Sequence, residues 1–189
     1  MKTTCTQKQA EHRQRIINAM KEQAISKGFH KASMSEIAKS AELSVGQIYR
    51  YFAHKDDIIC ALVEQTTLCR LELMPEFLNK QNWLDRHITP PNQARRNIRI
   101  LTIEIKAEAA RNSVISEICR KSHTLLRNRA VEIMQERYPM MDKQEIIARI
   151  DLLITITEGF VSRWDDQRQS YSAATISLYH KILDDILPD

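Results

Sequence analysis

Apolar residues along this chain recur at three- and four-residue steps, the spacing of one buried helix face. From about Thr6 to Lys27, the side chains Ile16, Ile17, Met20, Ala24 and Ile25 share a face. Gly28 supplies a C-terminal stop, and Phe29 turns back toward that face. Two short helices follow, joined by a tight turn and each opened by a capping box. Ser33 stands three residues before Glu36 and Ser44 three before Gln47, so each serine can accept from a free amide while the downstream side chain reaches back. Ile37, Ala38 and Ala41 form one apolar stripe, and Val45, Ile48 and Phe52 a second. Gln47, Arg50 and Tyr51 are left on the opposite side of the second helix. The pattern is a helix-turn-helix inside a three-helix unit. Its predicted core is Ile16, Ile17, Met20, Ala24, Phe29, Ile37, Ala38, Ile48 and Phe52.

Beyond it, a fourth helix opens at Lys55-Asp56-Asp57, whose two carboxylates suit a helix N-terminus. It carries Ile58, Ile59, Leu62, Val63, Thr66, Cys69 and Leu73 until Pro75 bends or ends it. Asn79 to Asn92, with Trp83 and Pro90-Pro91, is predicted to be irregular. The next helix places Ile98, Leu101, Ile105 and Ala109 on one face, and another runs from Ser113 to about Tyr138 with room for one break. Asp142 with Glu145 caps a helix that is apolar on more than one side, up to Phe160, Val161 and Trp164. After a polar loop over 165–170, Ser172 caps a closing helix through Leu187. An apolar surface this wide on a terminal hairpin predicts pairing with a second copy.

Composition supports an all-α fold. Among 189 residues there are only three Gly and five Pro, while Leu, Ile, Ala, Glu, Lys, Arg and Gln dominate. No signal peptide or membrane-length apolar run is visible, so a cytoplasmic protein with no membrane partner is expected. The net charge of +4 is unevenly placed. Residues 1–55 hold ten Lys/Arg against four Asp/Glu, the remainder eighteen against twenty. Positive charge therefore accompanies the helix-turn-helix, as a phosphate-binding surface requires. The four cysteines, at 5, 60, 69 and 119, form no Cys-x-x-Cys pair and read as reduced thiols, with Cys69 the one candidate for redox sensing. The six histidines lack ligand spacing. With no Glu-x-x-His, phosphate loop or nucleophile elbow, neither an enzyme nor a metal or other cofactor is expected.

Residues 10–60 resemble the DNA-binding domain of the TetR family of bacterial transcriptional repressors. The likeness rests on Gly28-Phe29, the Ser33-to-Ala41 helix, the run Leu43-Ser-Val-Gly-Gln-Ile-Tyr-Arg-Tyr-Phe52, and His54-Lys55. One departure lies in the turn, where Glu42 replaces a usual glycine. A left-handed backbone there would cost about 1 kcal/mol. The resemblance implies that Ser33 and Ser44 are phosphate-contacting caps and that Gly46 and Gln47 approach base edges. Tyr49 and Tyr51 would contact phosphate or a thymine methyl, and Lys55 would bind phosphate. The chemistry agrees: Gln47 can bond adenine bidentately, and Arg50 can serve guanine or phosphate. Tyr49 has an alternative, packing against the first helix. The implied organisation is a DNA-reading domain over residues 1–55 and an effector-binding and dimerisation domain over 56–189. The implied action is repression at a palindromic double-stranded operator by a homodimer formed through the two C-terminal helices, released by a small molecule.

Effector candidates are the aromatic and apolar residues Met74, Phe77, Trp83, Ile105, Tyr138, Phe160 and Trp164. The acids Glu104, Glu108, Asp151 and Glu158, at otherwise apolar helical positions, suggest an amphipathic or cationic ligand. The plainer reading is that such aromatics are core and such carboxylates pair with arginine. A rival function keeps DNA binding and gives the C-terminal domain a protein partner instead.

Overall fold

The computed structural model describes the backbone of residues 2–163 and 171–188, with side chains from residue 7 onward; Trp164 and the predicted loop 165–170 lie outside the described residues. Helices and their connections make up all of the described chain, without a strand. They are α1 Lys2–Lys27, a 3-10 turn Phe29–Lys31, α2 Met34–Ser40, α3 Val45–Tyr49, α4 Lys55–Glu72 and α5 Met74–Phe77. Then come α6 Lys80–His87, α7 Gln93–Ala109, α8 Ser113–Arg137, α9 Lys143–Ser162 and α10 Ala173–Ile186. The fold is all-α, with an N-terminal helix-turn-helix and a helical C-terminal part.

Two compact units divide the chain. The first holds residues 1–66 and 100–121, the second 67–99 and 122–189. In the first, all nine predicted core residues are buried, and Leu101 of α7 and Ile115 of α8 join their cluster. Asn112 Nδ2 donates to Asp56 Oδ2 at 2.9 Å, tying the α7–α8 connection to the start of α4. This unit is therefore larger than the three-helix motif. Val45 corrects the predicted stripe: it is 39% exposed, because it is the first residue of a five-residue helix and its neighbours curve away beneath Ile48.

In the second unit, Met74, Leu78, Trp83, Leu84, Met134, Ile146, Ile150, Phe160, Leu183 and Ile186 share one core. The stretch predicted to be irregular contains α6. Asn79 caps it, its side-chain oxygen accepting from Asn82 N at 3.0 Å, and Trp83 and Leu84 are buried beneath it. Only the segment after His87, with Pro90-Pro91, lacks helix. Pro75 ends α4 by opening the one-turn α5. α8 is unbroken, and Ile98 on α7 stands exposed rather than in the predicted stripe. α9 and α10 lie against each other, yet Leu152, Ile154, Leu178 and Ile182 remain exposed on them.

Candidate nucleic-acid interface

Both capping boxes form. Ser33 Oγ accepts from Glu36 N at 3.3 Å while Ser33 N donates to Glu36 Oε2 at 3.1 Å. In α3, Ser44 Oγ accepts from Gln47 N at 3.2 Å, and Ser44 N donates to Gln47 Oε1 at 2.8 Å. Reciprocal caps are what allow a helix of only five residues to hold its shape. Between α2 and α3, Glu42 adopts φ 51°, the one positive φ among the described non-glycine residues. Arg15 of α1 donates to its carbonyl oxygen at 3.2 Å and to its Oε2 at 2.9 Å, so α1 holds the strained turn from two sides.

Gly46, Tyr49 and Arg50 on α3, with Ser33, Ser44 and His54 around it, are exposed, Tyr49 by 54%. An added Cβ on Gly46 would meet nothing within 4 Å. The fold therefore does not require glycine there, although a helical glycine costs roughly 1 kcal/mol relative to alanine. The tyrosine that packs toward α1 is Tyr51, not Tyr49. Tyr51 is half-buried, its hydroxyl lies 3.1 Å from His12 Nδ1, and the two rings meet edge to face at 5.9 Å. Gln9, Ala10, Arg13, Arg50 and Tyr51 line an open concavity of about 430 Å³ between α1 and the end of α3, and the Arg13 guanidinium sits 5.2 Å over the Phe52 ring.

Lys55, half-buried, donates from Nζ to Phe29 O at 3.1 Å, while Phe29 N donates to Glu104 Oε2 at 3.3 Å. With its ring fully buried, Phe29 is thus gripped through both backbone groups, by α4 and by α7. Gly28 beside it has φ 81° and ψ 158°, a conformation open essentially to glycine alone.

The residues singled out for an effector do not converge. Glu104, Ile105 and Glu108 lie in the first unit, where Glu104 binds Phe29, Ile105 packs on the core and Glu108 pairs with Arg111 at 3.0 Å. In the second unit, Asp151 forms a two-pronged pair with Arg127 at 2.5 and 2.7 Å, which holds its carboxyl below the usual range. Glu158 is half-buried. Met74 is core, Phe77 stacks beneath the Arg86 guanidinium at 4.0 Å, and the Tyr138 hydroxyl donates to Pro188 O. Trp83 and Phe160 do come together, 5.4 Å apart and edge to face. Around them stand three residues that spacing alone did not single out: His87, Tyr171 and Tyr179. The signal available for His87 was its position four residues after Trp83, one helical turn on.

The described residues contain no group of three or more His, Cys, Asp or Glu placed to hold a metal ion, and no helix among them is long and apolar enough to cross a membrane. Cys60 and Cys119 are half-buried and burial pushes both thiols up, which disfavours the reactive thiolate; Cys69 is exposed.

The profile of the tetR family of bacterial regulatory proteins matches residues 16–62. The chain is similar to the HTH-type transcriptional regulator UidR of Escherichia coli strain K12, 28% identical over 159 residues that cover 79% of this chain and 80% of that one. In fold it resembles Salmonella enterica GusR, with a TM-score of 0.73 at 21% identity over 94% of this chain and 96% of the other. It also resembles the multidrug binding protein EbrR complexed with ethidium, with a TM-score of 0.65 at 18% identity over 94% and 99%.

Proposed function

This chain belongs to the TetR family of bacterial transcriptional regulators, and from that premise we propose that it is a dimeric repressor of a palindromic operator, released by a small molecule. The observation that carries the DNA reading is Gly46, open to solvent on a doubly capped helix beside exposed Tyr49 and Arg50. A glycine the fold does not need is best explained by something outside the chain that comes close. A base edge or phosphate in a major groove is such a thing. Ser33, Ser44, Gln47, His54 and Lys55 surround this point, and Arg50 and Tyr51 extend it toward the concavity beside Arg13.

The same argument supports the dimer. Gly159 lies inside α9, where an added Cβ would also meet nothing within 4 Å. Leu152, Thr155 and Gly159 share one face, and exposed Leu178 and Ile182 share a face of the adjoining α10. Small and apolar residues placed this way suit close packing against the same hairpin of a second chain, whose two-fold symmetry would match a palindrome.

The second unit is the natural seat for an effector, since EbrR, of the same fold, binds ethidium. A protein partner is the second reading, favoured by the mutual contact of the Trp83, His87, Phe160 and Tyr179 rings, which leaves this cluster close-packed.

The test is fluorescence anisotropy on the DNA immediately upstream of the protein's own gene, titrated with salt. A dimer reading two half-sites, each neutralising several phosphates, gives a log–log slope of about −5 or steeper. A slope near −1, or equal affinity for unrelated duplex, would refute the operator reading.

A further inference from the structure

Acidic residues at apolar positions suggested a cationic effector, but in the second unit the charges beside the aromatic cluster are positive. His87 stacks on Trp83 with centroids 4.2 Å apart and planes 30° apart, and lies 5.3 Å from the Phe160 ring. Trp83 Nε1 donates to Thr157 Oγ1 at 3.0 Å, and Thr157 in turn donates to Leu153 O, so the indole is locked to α9. His87 Nδ1 lies 2.7 Å from Trp83 O. A carbonyl can only accept, so Nδ1 carries the proton and Nε2 is left as an acceptor. Burial, reinforced by the guanidinium groups of Arg99, Arg86 and Arg95, pushes the imidazole down to about 4, so it is neutral at pH 7 and adds no charge of its own.

Those arginines differ in their freedom to serve a ligand. Arg95 Nη1 is committed to the end of α6, donating to Asp85 O at 2.7 Å and Thr89 Oγ1 at 3.0 Å. Arg86 lies over Phe77 and 3.5 Å from Glu76. Arg99 sits one turn beyond Arg95 on the same face of α7, half-buried, with burial acting against its charge and Tyr171 close enough to interact. Of the carboxylates once considered for a cation, Asp151 is bound to Arg127 and Glu158 has a partner of its own.

We propose that the Trp83–His87 face, flanked by Arg99, is the effector contact and that it selects planar organic anions over cations. The proposal rests on the effector reading above and gives it a sign. A flat ring would lie against the indole and imidazole, a hydroxyl or amide would donate to His87 Nε2, and a carboxylate would meet the guanidinium of Arg99. Positive charge in a partly dry, aromatic setting acts over several ångströms with less screening than at the surface, and it repels a cation as it attracts an anion. Aromatic walls supply the affinity; the arginine supplies the choice.

A charge series on one ring tests this: 2-naphthoate, 2-naphthamide and 2-naphthylmethylammonium, titrated calorimetrically into the full chain. Expected is an order naphthoate, amide, ammonium, with about tenfold between the ends. In Arg99→Gln the order collapses while the amide still binds, and in Trp83→Ala all three weaken. If Arg99→Gln does not fold by circular dichroism, the wild-type order and Arg86→Gln carry the test. Ammonium binding as tightly as naphthoate would overturn the sign. An order unchanged in Arg99→Gln, or in Arg86→Gln where that variant stands in, would overturn the location. No binding of any member below about 1 mM would mean that this cluster is core and not a ligand face. Parallel anisotropy on the upstream DNA shows whether the regulator reading survives each result.

Discussion

The Glu104 carboxylate occupies the space that a side chain at position 28 would need: an ideal Cβ on Gly28 would stand 2.9 Å from Glu104 Oε2. That oxygen also accepts the Phe29 amide, so moving it aside would cost the hydrogen bond that joins α7 to the α1–α2 corner. Gly28→Ala is therefore expected to destabilise the protein by roughly 2–3 kcal/mol, mostly from backbone strain and partly from the displaced carboxylate. In a Glu104→Ala background the penalty should shrink by about 0.5–1 kcal/mol, because the carboxylate is no longer in the way. A double-mutant cycle by urea denaturation measures that coupling, and strict additivity would mean the two residues do not meet.

Gln47 has two tasks that a single substitution can separate. Its Oε1 is engaged by Ser44 N, so base reading falls first to the Nε2 donor. Gln47→Glu preserves the capping box and removes the donor. Melting temperature should stay within a degree or two, while operator affinity falls by at least about tenfold, the scale of 1–3 kcal/mol for a lost base contact. Gln47→Ala should lose both, with about 1 kcal/mol of stability. Full DNA affinity in Gln47→Glu would remove this residue from the reading face.

Leu178 is 58% exposed, so burying it requires another molecule. Leu178→Asp should leave the secondary structure intact and shift sedimentation from dimer to monomer. Operator affinity would then drop by about two orders of magnitude or more as the two half-sites lose their linkage. A variant that still sediments as a dimer would place the subunit contact elsewhere.

His87 sets a pH dependence with a definite sign. Unfolded, it titrates near 6.5; folded, near 4. Between these values the unfolded chain binds more protons, so this contribution is complete above about pH 6.5 and is lost as pH falls toward 4. The size is roughly 2–3 kcal/mol. Denaturation at pH 7 and pH 4.5 should show a steeper acid loss in the wild type than in His87→Gln; equal slopes would place the imidazole in water.

The DNA-reading half was legible because its signals are local. Serines three residues before Glu36 and Gln47, and a stripe ending at Phe52, determine caps and core almost without reference to the rest of the chain. The left-handed residue expected at Glu42 is there, but the Arg15 fork that steadies it joins residues 27 apart and left no trace in spacing. The side on which Tyr49 and Tyr51 lie was similarly hidden, since a helix that ends at Tyr49 no longer obeys the period that sorted them. α6 was obscured by its neighbours: eight residues, four of them charged, next to a proline pair, with Asn79 as the one clear start signal. Effector chemistry was least readable. Glu104 and Asp151 look alike in sequence, and only packing assigns one to the Phe29 backbone and the other to Arg127.

Lys55 spends its time in the free protein on a carbonyl of its own chain, Phe29 O. Any phosphate it meets must compete with, or share, an attachment already made, so the lysine contributes only the difference between the two. Stray polyanions that offer a single poorly aimed oxygen would find little to displace. A correctly spaced duplex, arriving with many contacts at once, would shift the balance, and selectivity would come in part from a cation that begins every encounter already occupied.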